Sequence, residues 1–245
     1  MEKKPQPKQL IYGIHAVQEA IEAGKQFERI YILKTDKGEA LMGLNALIKS
    51  NRLPVHHVPI HKLNRLSRGN HQGVVAFLSL IPNVEIDEII TRAFEEGAHP
   101  KILVLDGITD VRNFGALSRS ALAFGFHAVV VPNKGSALIH QDAVKASAGA
   151  LMKIPVAKVI NLSRSLEAMK DFGLKIIGIT EKASESIRDI KVNEPVALVL
   201  GNEETGLHQN SLALCDNTYC IEISEEIDSL NVSVAGAIAM FQASM

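Results

Sequence analysis

The strongest constraint on the fold is an alternation that begins at Lys101 and continues to the end of the chain. Short, uninterrupted apolar runs are separated by stretches in which apolar residues recur at helical spacing. Strands buried on both faces have such a composition, which is typical of a parallel sheet covered by helices on both sides. The predicted strands are Ile102–Leu105, Ala128–Val131, Val156–Val159, Lys175–Ile179, Val196–Leu200 and Tyr219–Ile223. The predicted helices are Phe114–Phe124, Gln141–Met152, Leu162–Asp171, Leu207–Cys215 and Val232–Ser244.

The preceding part of the chain has shorter elements and is predicted to form a small α/β domain of its own. Its pattern predicts a helix Gly13–Ala23, a strand Arg29–Leu33, a helix near Glu39–Lys49, a strand Val55–Val58, a polar segment His61–Gln72 and an apolar run Gly73–Leu80. Pro82 and Asn83 interrupt the pattern, and Ile86–Glu96 is predicted as a connecting helix that ends at Gly97. We therefore predict a first domain at 10–80, a linker with a connecting helix at 81–98, and a larger domain at 99–245.

The charge is unevenly distributed, although the net charge is only −1. Residues 1–80 carry 12 Lys/Arg against 6 Asp/Glu and five of the nine histidines, whereas the remainder carries 14 against 21. Such an asymmetry indicates a basic domain that binds a polyanion, joined to a domain with a different function. Chance variation among solvated surface charges is the alternative that charge alone leaves open.

Several protein classes are disfavoured by what the sequence lacks. No stretch approaches the roughly 18 apolar residues of a membrane span. Met1–Gln9 lacks the apolar core of a secretory signal, so we expect a cytoplasmic protein that does not associate with a membrane. The two cysteines, Cys215 and Cys220, have no companions at metal-ligand spacing and are expected to be reduced thiols, with no metal bound.

Three polar loops follow predicted strands of the larger domain, at 106–113, 201–206 and 224–231. Ligands of an open parallel sheet bind at the carboxyl ends of its strands, so chemistry is expected in these loops. None of them has the Gly-x-Gly-x-x-Gly turn of a dinucleotide site, the Gly-Lys-Ser/Thr ending of a P-loop or the Gly-x-Ser-x-Gly elbow of a hydrolase. Metal-free chemistry or simple binding is therefore expected.

Three segments in these loops together resemble the signature motifs of the SpoU family within the SPOUT methyltransferase superfamily. They are Leu105–Ala121, Leu198–Leu207 and Ser229–Ala235, in the family's order and spacing. Tyr12–Val17 and Asn70–Val75 also resemble the family's N-terminal substrate-binding domain. In one place the chain departs from the pattern: where the family has an apolar run and a glycine before Ser-Leu-Asn, this chain has the shorter, acidic segment 224–228.

The resemblance implies an α/β protein with a small N-terminal substrate-binding domain and a C-terminal parallel-sheet domain that contains a deep trefoil knot. It further implies a homodimer that uses S-adenosyl-L-methionine as cofactor to methylate a ribose 2′-hydroxyl in RNA. The residues that match the family's cofactor-binding positions are Leu200, Gly201, Asn202, Ile223 and Leu230. The shortened segment 224–228 makes their cofactor contacts, and the affinity, open questions.

The catalytic positions implied by the resemblance are Asn113, Arg119, Glu203, Ser229 and Asn231. From local sequence alone, Asn113, Ser229 and Asn231 could instead cap helices, Glu203 or Glu204 could interact with a helix N-terminus, and Arg119 could be a solvated helix residue. A guanidinium is a poor base because its pKa exceeds about 12. We therefore expect Arg119 to grip an RNA phosphate and stabilise the developing alkoxide; whether it also takes the proton is left open.

RNA contacts are predicted for Lys62, Arg65, Arg68 and His71 in the first domain and for Arg112 in the second. Cations and amides of this kind neutralise phosphates and bind unpaired bases, although a solvated loop is the alternative. Aromatic stacking is expected to be minor because aromatic residues make up 4% of the chain.

The resemblance favours, as the function, methylation of a guanosine in 23S ribosomal RNA. Two alternatives stay open within RNA biology: a tRNA 2′-O-methyltransferase and a catalytically silent, dimeric RNA-binding protein. An α/β domain that binds some other small nucleotide is a third alternative. The sequence does not identify the modified nucleotide, nor whether the substrate is naked RNA or a ribosomal precursor.

Overall fold

The computed structural model describes residues 10–34, 38–81, 84–137, 139, 141–224 and 226–245. The chain divides into two compact units, Met1–Leu80 and Ile81–Met245. The sequence-based statements about Met1–Gln9, Pro82 and Asn83 concern residues outside those described. No described helix is long and apolar enough to cross a membrane, and the described residues contain no group of three or more His, Cys, Asp or Glu that could hold a metal ion.

The first unit is a four-stranded sheet with three helices. Its strands are β1 (Leu10–Tyr12), β2 (Phe27–Leu33), β3 (Val55–Val58) and β4 (Val74–Leu78), and its helices are α1 (Ile14–Glu22), α2 (Glu39–Ser50) and α3 (Ile60–Leu66). The strand order is β1-β4-β2-β3, with β2 and β3 parallel and the other pairs antiparallel. Apolar residues of α1 and α2 pack on one face of the sheet, and Leu63 of α3 packs on the other. The segment His61–Gln72 was predicted only as polar, but its first six residues lie in α3. Burial of Leu63 against the sheet stabilises this helix.

The second unit is built on a seven-stranded, entirely parallel sheet, as the apolar runs predicted. Its strands are β5 (Lys101–Asp106), β6 (Ala128–Pro132), β7 (Val156–Val159), β8 (Lys175–Ile179), β9 (Glu185–Ser186), β10 (Val196–Gly201) and β11 (Asn217–Cys220), in the order β7-β6-β5-β10-β8-β11-β9. Its helices are α4 (Ile86–Glu95), α5 (Val111–Ala123), α6 (Gln141–Ala146), α7 (Leu162–Asp171), α8 (Gln209–Leu212) and α9 (Val232–Gln242).

The parallel sheet of the second unit is covered on both faces. Along β10, Ala197 and Val199 pack in one core with α4 and α7. Leu200 points to the other face, where a Cβ on Gly236 of α9 would lie 2.6 Å from Leu200 Cδ1 and 2.3 Å from Leu117 Cδ2 of α5. The predicted connecting helix, α4, is thus part of this unit's core.

Three predicted elements are wrong in extent, each for a local reason. The helix predicted at Gln141–Met152 stops at Ala146 because Ala148 and Gly149 are left-handed, and a 3₁₀ turn follows at Ala150–Met152. The helix predicted at Leu207–Cys215 is a single turn at Gln209–Leu212. The strand predicted at Tyr219–Ile223 lies earlier, at Asn217–Cys220, because residues 217–219 pair with β8 while Ile223 is exposed outside the sheet.

Candidate active site

A cavity of about 490 Å³ lies at the carboxyl edge of the parallel sheet. Its walls come from the end of β8, from the loop after β10, from the first turns of α9, and from the end of β11 with residues 221, 223, 224 and 227–230 after it. Carboxyl ends of neighbouring parallel strands share one edge of a sheet, so segments distant in sequence converge there. The volume is within the usual range of about 300–1,000 Å³ for small-molecule sites.

Asn113 connects two loops of the cavity through its amide group. Its Nδ2 donates to Glu203 Oε1 at 2.9 Å, and its Oδ1 accepts from Asn231 Nδ2 at 3.1 Å. Asn113 does not cap its helix, because the carboxylate of Asp110 accepts from the backbone N–H groups of Arg112 and Asn113 and starts α5 earlier than predicted. The amide of Asn113 is therefore available to join residues 90 and 118 positions away.

Asn231 both caps α9 and takes part in the site network. From local sequence alone, these two functions are alternatives. Its Oδ1 accepts from the backbone N–H of Ser233 at 2.9 Å and from Ser233 Oγ at 2.6 Å, which caps α9. Its Nδ2 remains free to donate to Asn113. Capping and the site network are thus compatible uses of a single amide.

The loop after β10 is a tight turn held by Asn202. The backbone groups of Asn202 and Gly206 exchange hydrogen bonds of 3.0 and 2.9 Å, and Asn202 Oδ1 accepts from the backbone N–H of Glu204 at 2.9 Å. Its Nδ2 donates to the carbonyl of Gly107 at 2.8 Å. Asn202 lines the cavity, but its side chain is used to tie the β10 loop to the β5 loop.

Gly201 lines the cavity, and the neighbouring backbone of its own loop leaves no room for a side chain at this position. A Cβ at this position would lie 2.2 Å from the carbonyl carbon of Gly206 and 2.3 Å from the backbone nitrogen of Leu207. The structure shows that the returning turn already occupies the space that a side chain would need.

The third predicted segment also reaches the cavity. Ile223, Ser229 and Leu230 line it, with Ile223 and Ser229 exposed and Leu230 half-buried. The Ser229 hydroxyl makes no hydrogen bond to any residue that the structure describes, so it can bind a ligand. Ser224 and Asp228, at the ends of the shortened segment, line the cavity as well.

Sequence reasoning missed part of the cavity wall. Three polar loops were singled out, but the end of β8, which pairs with β10, was not among them. The signal was present, because polar residues follow the predicted strand Lys175–Ile179 at the same edge. The additional lining residues include Thr180, Glu181, Cys220, Ile227, Val232 and Ala235.

The charged residues of the cavity wall are acidic. Glu181, Glu203 and Asp228 line it, and the described lining includes no Lys, Arg or His. A cleft lined by one sign of charge attracts ligands of the opposite sign. The cavity therefore favours a ligand that carries positive charge and disfavours polyphosphates.

Cys215 and Asp216 lie next to the cavity strands without lining it. Burial raises the pKa of the Cys215 thiol to about 11, so it stays protonated. Burial also acts to raise the pKa of Asp216, but hydrogen bonds from Lys170 Nζ at 2.8 Å and from the Ile176 N–H at 2.7 Å outweigh it and lower that pKa. This carboxylate anchors the start of β11 against β8.

Arg119 is not brought to the cavity within one chain. It is exposed on α5 and forms no hydrogen bond or ion pair with a described residue. Asn113 and Arg119 are six positions apart, which places them on different sides of the helix. Leu122, three positions further along and exposed, shares the side of Arg119.

The predicted RNA-binding residues differ in their availability. Arg65, Arg68 and Arg112 are exposed, and Lys62 Nζ lies 5.2 Å from the centroid of the Tyr31 ring, a cation–π contact. His71 is only 8% exposed, which does not suit a direct RNA contact. Its Nδ1 accepts from the Gly73 N–H at 3.1 Å, so its Nε2 carries the proton and donates to Asn64 Oδ1 at 2.8 Å. His71 therefore stabilises the loop after α3 rather than contacting RNA.

Comparison with known proteins is consistent with this arrangement. Residues 100–241 match the SpoU rRNA Methylase family, and residues 10–83 match the family described as RNA 2′-O ribose methyltransferase substrate binding. The Bacillus subtilis protein YacO, whose name assigns it to the TrmH family of tRNA/rRNA methyltransferases, is 34% identical over 233 residues, which cover 95% of this chain and 93% of the relative.

Known structures share the fold along nearly the whole chain. The SpoU methyltransferase AviRb from Streptomyces viridochromogenes, crystallised with AdoMet, is 23% identical, covers 96% of this chain and 88% of its own, and has a TM-score of 0.61. A structure described as an RNA 2′-O ribose methyltransferase is 26% identical, with coverages of 96% and 86% and a TM-score of 0.56.

Proposed function

The chain belongs to the SpoU rRNA methylase family, and from that premise we propose that this RNA methyltransferase transfers a methyl group from S-adenosylmethionine to a ribose 2′-hydroxyl. The observation that carries the proposal is the hydrogen-bonded chain Asn231–Asn113–Glu203, which joins all three signature segments and reaches the cavity wall at Glu203. The match of residues 10–83 to a substrate-binding family of 2′-O ribose methyltransferases supports ribose in RNA as the acceptor.

The cavity suits S-adenosylmethionine in size, polarity and charge. Leu200, Ile223 and Leu230 offer apolar surface for the adenine ring, and the carboxylates of Glu181 and Asp228 suit its positively charged sulfonium and ammonium groups. AviRb, which has the same fold, is crystallised with this cofactor. When bound, the cofactor supplies a methyl group on positively charged sulfur, which is open to attack by an oxygen nucleophile.

The protein's own part in the reaction is to orient the ribose hydroxyl and to stabilise the charge that it acquires. Asn113 and Asn231 orient one another through their mutual hydrogen bond, and the Ser229 hydroxyl, which lines the cavity and bonds to no described residue, can bind the ribose. Holding two substrates in attack geometry removes much of the entropic barrier to their reaction. A cation is still needed at the hydroxyl, and the residues described in the cavity wall of one chain do not provide it.

We assign that cation to Arg119 of a second copy, in a homodimer formed through α5 and α9. Val234, Ile238 and Phe241 form an exposed apolar stripe along α9, and Leu122 is exposed on the side of α5 that carries Arg119. The Phe124 and Phe241 rings, 5.9 Å apart, join the two helices into one surface. Pairing two such surfaces buries the stripe and puts each Arg119 at the subunit interface.

A deep trefoil knot is the connectivity that we propose for the cavity segments. The loop after β10, the segment after β11 and the start of α9 all meet at one sheet edge. Members of the SPOUT superfamily thread the C-terminal segment through such a loop, and the fold matches theirs over 96% of the chain. The threading fixes the three segments around the cofactor without a metal or a disulfide.

The RNA that we propose as substrate is large-subunit ribosomal RNA, modified at a guanosine in the cytoplasm. The family description supports ribosomal RNA, whereas the B. subtilis relative is described for both tRNA and rRNA, so tRNA is the second candidate. Mapping 2′-O-methyl sites in total RNA from cells with and without the gene decides between them. Loss of a single site in tRNA would reject the ribosomal assignment.

The enzymatic proposal is tested with purified protein in two steps. Calorimetry should detect S-adenosylmethionine binding and no comparable binding of ATP or NAD, because the cavity is acidic. Arg119→Ala should then bind cofactor normally while methyl transfer at saturating RNA falls at least roughly 100-fold, as for loss of one charge-stabilising group. An Arg119→Ala protein with a normal rate would remove Arg119 from the mechanism. Failure to bind the cofactor at all would favour a silent RNA-binding protein.

A further inference from the structure

Tyr12 is an exposed aromatic side chain held against a glycine. It ends β1 and is 41% exposed, whereas Tyr31 and Tyr219 are buried. A Cβ added to Gly69 would lie 2.5 Å from Cε2 and Cζ of the Tyr12 ring. One side of the ring therefore rests directly on the backbone at Gly69, and much of the remainder is in solvent.

The support under Tyr12 is braced by hydrogen bonds from both sides. Gln72 Oε1 accepts from the Ile14 N–H at 3.1 Å, and the Gly13 N–H donates to the Val74 carbonyl at 3.2 Å. The loop after α3 is further fixed by the buried His71. The ring and the loop beneath it are thus set before any ligand binds, which lowers the entropic cost of binding.

The loop that supports this ring belongs to a segment of the chain that is rich in positive charge. Residues 40–84 contain five Lys/Arg and no Asp or Glu. Arg68 and Asn70 flank Gly69 in the chain, and Arg65 lies at the end of α3. Arg65, Arg68 and Asn70 are exposed, and neither arginine has an ion-pair partner among the residues described. An aromatic ring beside unpaired arginines is a combination that single-stranded nucleic acids use, with bases on the ring and phosphates on the cations.

We propose that Tyr12 stacks on an unpaired base of the RNA substrate while Arg65 and Arg68 hold the neighbouring phosphates. The inference rests on the proposed function and narrows its substrate class to RNA that contains a looped-out or single-stranded nucleotide. A duplex keeps its bases stacked on one another and offers none to the ring. The Tyr12 site thereby selects the structure of the RNA rather than its charge alone.

The chain contains no tryptophan, so Tyr12→Trp creates a single fluorescent reporter at the proposed contact. Its emission should be quenched by a short single-stranded oligoadenylate, and much less by an abasic strand of equal length or by duplex RNA. Met42→Trp is the matched control, because Met42 is also exposed in the first unit but lies on α2. Its emission should not distinguish the base-bearing strand from the abasic one.

Affinities of the same probes provide a second measurement that does not depend on tryptophan. Tyr12→Leu should bind oligoadenylate roughly tenfold more weakly, while Tyr12→Phe keeps nearly full affinity because it keeps the ring. Arg68→Gln should weaken binding of the base-bearing and abasic strands alike. Circular dichroism of each variant verifies that the fold is kept.

Equal quenching of Tyr12→Trp by base-bearing and abasic strands would overturn the inference, and so would a folded Tyr12→Leu with wild-type affinity. Either result leaves the proposed methyl transfer intact, because that activity is measured separately. Conversely, base-dependent quenching in a protein that methylates no RNA would reject the proposed function and keep the stacking site.

Discussion

Reversing the hydrogen-bonding role of one atom at Asn113 should disable the site without unfolding the protein. Asn113 Nδ2 donates to Glu203 Oε1 at 2.9 Å. In Asn113→Asp, an oxygen replaces that donor and two carboxylates face one another, while the acceptor for Asn231 is kept. The variant therefore tests the contact with Glu203 separately from the contact with Asn231.

The size of the effect follows from two contributions. Two unit charges at that separation repel by about 1.4 kcal/mol in water and by about 6 kcal/mol at an effective dielectric constant of about 20. Glu203 is exposed and can turn away, so the lower value applies. Loss of a hydrogen bond to a charged acceptor adds about 1.5 kcal/mol. The sum of about 3 kcal/mol corresponds to a roughly 100-fold lower kcat/KM if the geometry is needed in the transition state.

The assay is transfer of tritiated methyl from S-adenosylmethionine to ribosomal RNA, with the melting temperature measured in parallel. The double variant Asn113→Asp with Glu203→Gln restores a donor opposite an acceptor and should recover most of the rate. Asn161→Ala is the control for a lost asparagine contact, because Asn161 caps α7 through a 3.1 Å bond to the Arg164 N–H away from the cavity wall. It should cost about 1 kcal/mol of stability and no activity. A double variant as slow as Asn113→Asp would refute the reasoning.

Three further outcomes are expected. Gly201→Ala should lower the melting temperature and weaken cofactor binding, because its Cβ would overlap the returning turn, whereas Gly43→Ala, with nothing within 4 Å, should not destabilise the fold. A thiol reagent at pH 8 should label Cys220, which lines the cavity, and S-adenosylmethionine should slow this labelling, while Cys215, with a pKa raised to about 11 by burial, stays unlabelled; equal labelling with and without cofactor contradicts the site. The lowered pKa of Asp216 means that its carboxylate stabilises the fold above pH 3.8 and that this contribution is lost as the pH falls through the folded-state pKa. Asp216→Asn should therefore reduce the melting temperature at pH 7, with a smaller difference from wild type at pH 3.

Much of the fold could be predicted from the sequence because strands buried in a parallel sheet consist of uninterrupted apolar residues. Val156–Val159 and Lys175–Ile179 were predicted with their observed bounds, as was the helix Leu162–Asp171. The edge of the sheet where the cavity lies followed from the same pattern, since loops at carboxyl ends are the usual ligand sites. These features depend on local composition and spacing, which the sequence contains directly.

The parts that failed depend on contacts between distant residues. Nothing near Glu185–Ser186 predicted a strand; it exists because β11 lies beside it. Nothing in the sequence indicated that the backbone at Gly206 and Leu207 fills the space beside Gly201. The apolar residue Ile223 was expected in a strand, but it lies outside the sheet at the cavity.

The sequence by itself determined the parallel sheet, the edge that carries the site and the residue types available there. Only the tertiary structure decided how those residues are used: Asn113 joins Glu203 and Asn231, His71 is buried as a brace, and Arg119 is exposed and does not line the described cavity wall of its own chain. The physical reason is that a hydrogen bond needs two groups within about 3 Å in a fixed orientation. For residues more than a hundred positions apart, that distance is set by the packing of the whole sheet and its helices.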